Sequence, residues 1–247
     1  MPICIGAILI VYYPGLSGGF VFDDISNILS PTGLRMDKLS LDSLKHAALS
    51  MDNRPISRAS FGLNYLATGF DPFYFKVVNV IVHGINALLL FALIFLLLQF
   101  LAIENKVGQT STRTIIIAAA VSLAWALHPV NVTNVLYIVQ RMNSLSALFV
   151  LAGMICYIKG RMVLGISPLK GWLFITSSIL IFLPLAWFSK ENGALLPLFL
   201  FIIEITIFRF SGLNSRQCKG LYLFHVVFFL LPSLLAVFYI LHHAGMF

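Results

Sequence analysis

Of 247 residues, 60% belong to the set AVILMFWYC, 10% are charged, and the net charge is +7. A soluble domain carries about a quarter of its residues as Asp, Glu, Lys or Arg, because its surface must be solvated. This chain lacks the ionic groups for that and reads as an integral membrane protein. The basic excess, 16 Lys+Arg against 9 Asp+Glu, has no basic cluster interleaved with aromatics behind it, which excludes nucleic acid as a partner.

Residues 1–22 contain no Asp, Glu, Lys or Arg. With no basic leader before it, this stretch reads as a retained first span and not as a cleaved signal. Pro14, Gly15, Gly18 and Gly19 loosen its end. Directly after it, FVFDDISN places Asp23 and Asp24 side by side. Two carboxylates at a membrane boundary are costly unless they face water, a metal or cations. They suit a general base, and they could hold a divalent cation. A helix stop at the interface is the alternative. Two adjacent carboxylates do not make a metal site, so no metal or other cofactor is assigned.

The segment 23–72 is too long for a simple connector. Within it, 39–50 places Leu41, Leu44 and Ala48 on one helical face. Residues 53–70 place Ile56, Ala59, Leu63, Leu66 and Phe70 on another, with Asn53 as the expected N-cap and Pro55 in the first turn. Both read as amphipathic helices lying at the interface. Arg54, Arg58, Phe61 and Tyr65 share the opposite face of the second.

A spanning helix needs about 20 mostly apolar residues. Seven spans are expected, with cores near 2–20, 75–101, 114–128, 143–158, 172–188, 193–208 and 221–241. On the second, Lys76, Asn79, His83 and Asn86 follow helical spacing, the pattern of polar side chains turned into a bundle. Lys76 and Asn79 are the nearer of these to a substrate. After the third span, HPVNVTNVLYIVQRMNSLSALF carries His128, Gln140 and Arg141. Pro129 ends that helix, and His128 before it suits a capped turn as well as a contact. Arg141 is the only charge between Arg113 and Lys159 and calls for an anionic partner. The sequon Asn131-Val132-Thr133 lies too near the membrane to count as a used site. Between spans five and six, FSKENG brings Lys190, Glu191 and Asn192 into a short connection. It is either a self-satisfied polar turn or a phosphate clamp in which Glu191 orients Lys190. Cys4, Cys156 and Cys218 have no metal-ligand or disulfide spacing.

The loops 102–113, 159–170 and 209–220 hold Lys106, Arg113, Lys159, Arg161, Lys170, Arg209, Arg216 and Lys219 against Glu104 alone. The positive-inside rule makes them cytoplasmic. The N-terminus is then inside, and the segments bearing Asp23/Asp24, Arg54/Arg58, His128–Arg141 and Lys190–Asn192 share the extracytoplasmic face. Cations there suit a phosphate, and a carboxylate suits a hydroxyl to be deprotonated.

At these residues the sequence resembles the GT-C class of polyprenyl-phosphate-sugar-dependent glycosyltransferases. FDDISNI, RPISRASFGLNYLATGFDPFYFKVVNVIVHGINALLLF, HPVNVTNVLYIVQRMNSLSALF and SKENGALLPLFLFIIE are similar to proteins that join a GT-C module to tetratricopeptide repeats. Those proteins are the transmembrane O-mannosyltransferases and their bacterial relatives. The resemblance covers about 12–208. It implies one all-α, GT-C-like membrane domain over 1–247, with the C-terminal part of the family architecture missing. It implies an inverting transfer of a hexose from an undecaprenyl- or dolichyl-phosphate donor to a hydroxyl of protein Ser/Thr or glycan. Asp24, or Asp23, matches the family's base; His128, Gln140 and Arg141, and Lys190 with Glu191, match motifs near the donor phosphate. The absence of an organelle signal points to a bacterial inner membrane. The rival readings are a truncated, non-catalytic module that binds lipid or a partner, and a carrier of lipid-linked sugars.

Overall fold

The computed structural model describes residues 2–51, 53–104 and 112–243; Lys106 and the last four residues lie outside them. The described residues form helices and turns with no strand. The helices are α1 (Pro2–Tyr12), α2 (Leu41–Ala48), α3 (Pro55–Thr68), α4 (Pro72–Glu104), α5 (Thr112–Ala126), α6 (Asn131–Leu136), α7 (Arg141–Leu164), α8 (Pro168–Leu180), α9 (Phe182–Trp187), α10 (Leu196–Ile203), α11 (Ser215–His225) and α12 (Leu231–His243). It is an all-α, multi-pass membrane protein.

Five stretches are long and apolar enough to cross a bilayer: Pro72–Ala102, Ile138–Leu164, Pro168–Trp187, Glu191–Phe208 and Ser215–His243. They match five of the seven expected spans. Shorter apolar helices stand at the first and third, Ile5–Gly15 and Thr112–Ala126. At about 1.5 Å per residue, the 11 residues of α1 reach about 16 Å, short of a hydrocarbon core about 30 Å thick. Its regular helix gives way to a 3₁₀ turn, Tyr13–Gly15, that contains Pro14. The fifth span breaks between α8 and α9 three residues before Pro184, whose ring displaces the carbonyl four positions back.

The long helix α7 is the centre of the bundle, with α4 on one side and α8 on the other. Glycine permits the second approach. A Cβ on Gly160 would stand 2.9 Å from the Gly171 carbonyl oxygen, and one on Gly171 would stand 2.6 Å from Leu164 Cα. Small residues at a crossing let membrane helices gain packing where no hydrophobic effect separates them from lipid. Around α7 a core of Leu93, Tyr157, Ile158, Ile175, Leu196, Leu200 and Phe224 fills the half of the bundle near loops 159–170 and 209–220.

At that end, Glu204 is fully buried and collects a network that hydropathy alone does not reveal. Arg161 Nε donates to it at 2.6 Å, Tyr157 Oη at 2.7 Å and the Phe210 N–H at 3.1 Å. The guanidinium of Arg161 also lies over the Phe208 ring. A loop arginine read as a topology marker is thus a buried structural partner.

At the opposite end, 13–75, 127–141 and 188–195 assemble around a second apolar cluster of Ile28, Leu34, Met36, Ala47, Phe61, Phe75 and Ile138. Here α3 reverses the simple expectation for an amphipathic helix. Ser57, Arg58, Phe61 and Asn64 are buried, whereas Leu63 is exposed. The polar face packs on protein, and on the apolar face Leu66 and Phe70 pack against the same cluster, leaving Leu63 as its exposed member. Nor does Asn53 cap this helix. Arg54 is the N-cap residue, left-handed at φ 60°, and the first turn bonds instead to the distant 188–189 turn. The Ile56 N–H donates to Phe188 O at 3.1 Å, and Ser57 Oγ donates to Ser189 O at 2.8 Å. The orphan donors of a helix start are met by tertiary structure.

Candidate active site

The two aspartates separate on folding. A π-helical turn, Ile25–Leu29, follows directly, and the chain enters it with Asp23 turned to solvent and Asp24 turned inward. Asp24 is fully buried. Its Oδ2 accepts from the Val21 N–H at 3.0 Å and its Oδ1 from the Val139 N–H at 2.7 Å. Burial pushes this carboxyl up, while those two hydrogen bonds and the nearby Lys76 charge pull it down. Asp24 therefore ties the loop after α1 to the turn before α7. The Asp23 carboxylate is exposed beside Tyr137, whose hydroxyl accepts the Asp23 N–H at 2.9 Å. Burial, and the Asp23 charge after it, raise the Tyr137 hydroxyl above its ordinary value. One carboxylate is buried with both oxygens on backbone N–H groups and the other is exposed, which does not suit a shared divalent cation. Among the described residues no three His, Cys, Asp or Glu stand together as a metal group.

Arg141 is buried completely, and its donors go to neutral oxygens. Nε donates to Asn79 Oδ1 at 2.7 Å, Nη1 to Ser60 O at 3.2 Å, and Nη2 to Asn64 Oδ1 at 2.7 Å and Phe75 O at 2.8 Å. Its guanidinium lies 4.7 Å from the Phe61 ring centroid and 5.3 Å from that of Phe75. The anionic partner that its isolation called for is absent among the described residues. Four hydrogen bonds and two aromatic faces replace it, and the geometry makes Arg141 a clamp between α3, α4 and α7. Arg58 is buried too, with both terminal nitrogens on Asn27, one on its carbonyl and one on its side-chain oxygen at 3.0 Å. Burial and then the neighbouring Arg54 lower it to about 10, so it stays charged at neutral pH. Asn27 carried no signal of its own in the sequence beyond its place after the aspartates.

The 190–192 turn departs from the expected Lys–Glu pair. Glu191 binds Arg54, whose Nε lies 2.9 and 3.1 Å from its two oxygens. No ion pair holds Lys190 among the described residues. Burial, and Arg54 after it, lower the Lys190 ammonium below the ordinary lysine value. Two cations thus share one carboxylate, a local positive excess.

The stripe on α4 faces the interior. Lys76 donates to Gly15 O at 3.0 Å with its ammonium packed over Gly18, where a Cβ would stand 2.6 Å from Nζ. Asn79 donates to Val135 O and Ile138 O. His83 bonds to Ala126 O at 2.9 Å. None of the three is offered to the Arg54–Lys190 cluster. His128 is exposed and its Nδ1 accepts the Val130 N–H at 3.2 Å, capping the turn into α6. No contact brings it to the cluster. Gln140 accepts from Asn143, and Asn192 donates to Asn143 Oδ1 at 3.3 Å. The sequon amide is unavailable, since Asn131 is 3% exposed and donates to Trp125 O.

No protein-family model matches the chain, and no solved structure matches it. Among curated proteins it is similar to protein O-mannosyl-transferase TMTC3 of Homo sapiens, 27% identical over 76% of this chain and 20% of that protein. The Drosophila melanogaster protein of the same name is 27% identical over 91% of this chain and 25% of its own length. Protein O-mannosyl-transferase TMTC4 of Mus musculus is 32% identical over 60% and 21%. The chain spans about a fifth to a quarter of the length of these relatives. All three come from animals, which gives the expected bacterial membrane no support. The chain is related in sequence to animal protein O-mannosyl-transferases.

Proposed function

We propose that this chain is a glycosyl-transfer module of the GT-C kind, moving mannose from a polyprenyl-phosphate donor to a protein Ser or Thr hydroxyl at the extracytoplasmic face. The observation that carries this reading is the division of labour at one end of the bundle. Asp23 offers an accessible carboxylate, while Arg54 and Lys190, which share the single carboxylate of Glu191, leave a positive excess in the segments that gather at the same end. The names of the relatives support the sugar and the acceptor.

In the reaction, the acceptor oxygen attacks the anomeric carbon and its proton passes to the Asp23 carboxylate. The bond from the anomeric carbon to the phosphate oxygen breaks, and its electron pair leaves with the lipid phosphate. Positive charge builds on the sugar and negative charge on the phosphate, as in other glycosyl transfers. Lys190, with Arg54, stabilises the departing phosphate, a service worth most where water is excluded. Asp24 and Arg141 position the turns that carry the reacting groups. A single displacement of this kind inverts the anomeric centre.

Asp23→Asn in the purified chain, given a radiolabelled polyprenyl-phosphate mannose and a Ser/Thr peptide, is expected to lower transfer at least about 100-fold with an unchanged melting temperature. Transfer at the wild-type rate in that variant would overturn the assignment of the base. Donor binding without product in the wild-type chain would instead indicate a binding module.

A further inference from the structure

Between α4, the α5–α6 connection, α7 and the 190–192 turn lies a cavity of about 310 Å³ with a composition unlike the rest of the bundle. At roughly 30 Å³ per water molecule it has room for about ten waters, the lower end of ligand-pocket sizes. Its lining includes Asn86, Asn131, Asn134, Asn143 and Asn192 together with His83, Ser144 and Trp125, and no Asp, Glu, Lys or Arg among the described residues.

The polar groups in it are not all spent. Asn86 is 2% exposed and donates to Ser144 O at 2.8 Å, but its Oδ1 has no partner. An acceptor that deep needs a donor from whatever fills the cavity. His83 bonds a carbonyl through Nε2. A carbonyl can only accept, so Nε2 carries the proton and Nδ1 is left as an acceptor. Trp125 packs against His83 at a tilt of 31°, with centroids 4.9 Å apart, and adds an aromatic surface.

These features select the occupant by elimination. An apolar chain would strand the carboxamides in hydrocarbon. An ion would be desolvated without a counter-charge. Amides that both donate and accept, next to an aromatic ring, suit a neutral molecule with many hydroxyl groups. The lining itself leads toward the cations: Asn192, bonded to Asn143, is two residues from Lys190. We infer that this cavity is the subsite for the uncharged sugar ring of the donor, with the phosphate held outside it at Lys190. The inference rests on the donor reading above and adds the site of sugar selection.

Its test uses the full chain in detergent and two short-chain polyprenyl phosphates, one bearing mannose and one bare, titrated calorimetrically. The wild type is expected to prefer the mannosyl lipid by about tenfold or more. Asn134→Leu, and independently Ala147→Phe, which fills the cavity from an alanine of its lining without removing an amide, are expected to abolish that preference and leave the bare lipid's affinity unchanged. Lys190→Gln is expected to weaken both lipids. A preference that survives in both folded variants, or a wild type with none, overturns the subsite and leaves the phosphate reading standing. If neither lipid binds, the donor reading fails and the cavity is judged alone through maleimide labelling of Asn134→Cys. Protection by free mannose, about tenfold in rate, upholds a sugar site. Unchanged labelling means a cavity filled by water only and overturns it.

Discussion

Asp23 and Asp24 are chemically identical neighbours, and burial makes them different tools. Neighbouring residues on a helical turn differ by about 100° in direction, so one carboxylate meets two backbone N–H groups while the other stays exposed. Asp24→Asn replaces one acceptor oxygen by an NH₂ group facing an N–H donor. It is expected to lower stability by about 1–3 kcal/mol, read as a fall in melting temperature that Asp23→Asn does not share. Lys190 supplies a second contrast. Its ammonium titrates below the ordinary lysine value, so charge, and with it phosphate affinity, is lost at a lower pH than for a free lysine. Lys190→Arg keeps the cation at every accessible pH. The alkaline limb of donor binding is expected to move upward in that variant, measured as dissociation constant against pH; an unmoved limb would assign it to another group.

At the scale of elements, what could be read from the sequence was the period. The spacing of Lys76, Asn79, His83 and Asn86 announces one face of α4, and the structure turns that face inward. The same periodicity found both faces of α3 but did not tell that the polar one would be buried in protein. That choice is made by Asn27, Asn64 and the rings of Phe61 and Phe75, which receive Arg58 and Arg141 from positions far away in sequence. Arg141 was legible as exceptional, because it stands alone between apolar stretches; its partners were not, being neutral. Arg141→Met is expected to orphan Asn79 and Asn64 oxygens and loosen α3 from α4 and α7. The expected readouts are a melting temperature several degrees lower and faster proteolysis within 55–68. A variant as stable as wild type would remove its role as a clamp. Gly160→Val is expected to separate α7 from α8, since the new side chain would meet the Gly171 carbonyl.

Across the whole molecule, the two ends of the bundle use charge differently. One end buries a charged pair: Arg161, Glu204 and Tyr157 satisfy one another in the core. Glu204→Gln leaves a buried guanidinium uncompensated and is expected to cost about 3–5 kcal/mol, seen as loss of the monodisperse folded protein on gel filtration. The other end leaves Asp23 and Lys190 available. Composition announced a membrane protein. It could not announce the cavity of asparagines, because its walls come from four separated segments and asparagine has no hydropathic signature that distinguishes a pocket from a loop.

The bonds from the first turn of α3 to the 188–189 turn join residues 132 positions apart, and the Arg54–Glu191 pair joins residues 137 apart. A ribosome releases the interfacial helix long before its docking carbonyls exist. During synthesis α3 must therefore wait undocked while three further spanning stretches insert. This end of the molecule closes last, so a nascent chain stopped before Phe188 is expected to be membrane-inserted yet protease-sensitive across 55–68, and resistant there once Asn192 has emerged.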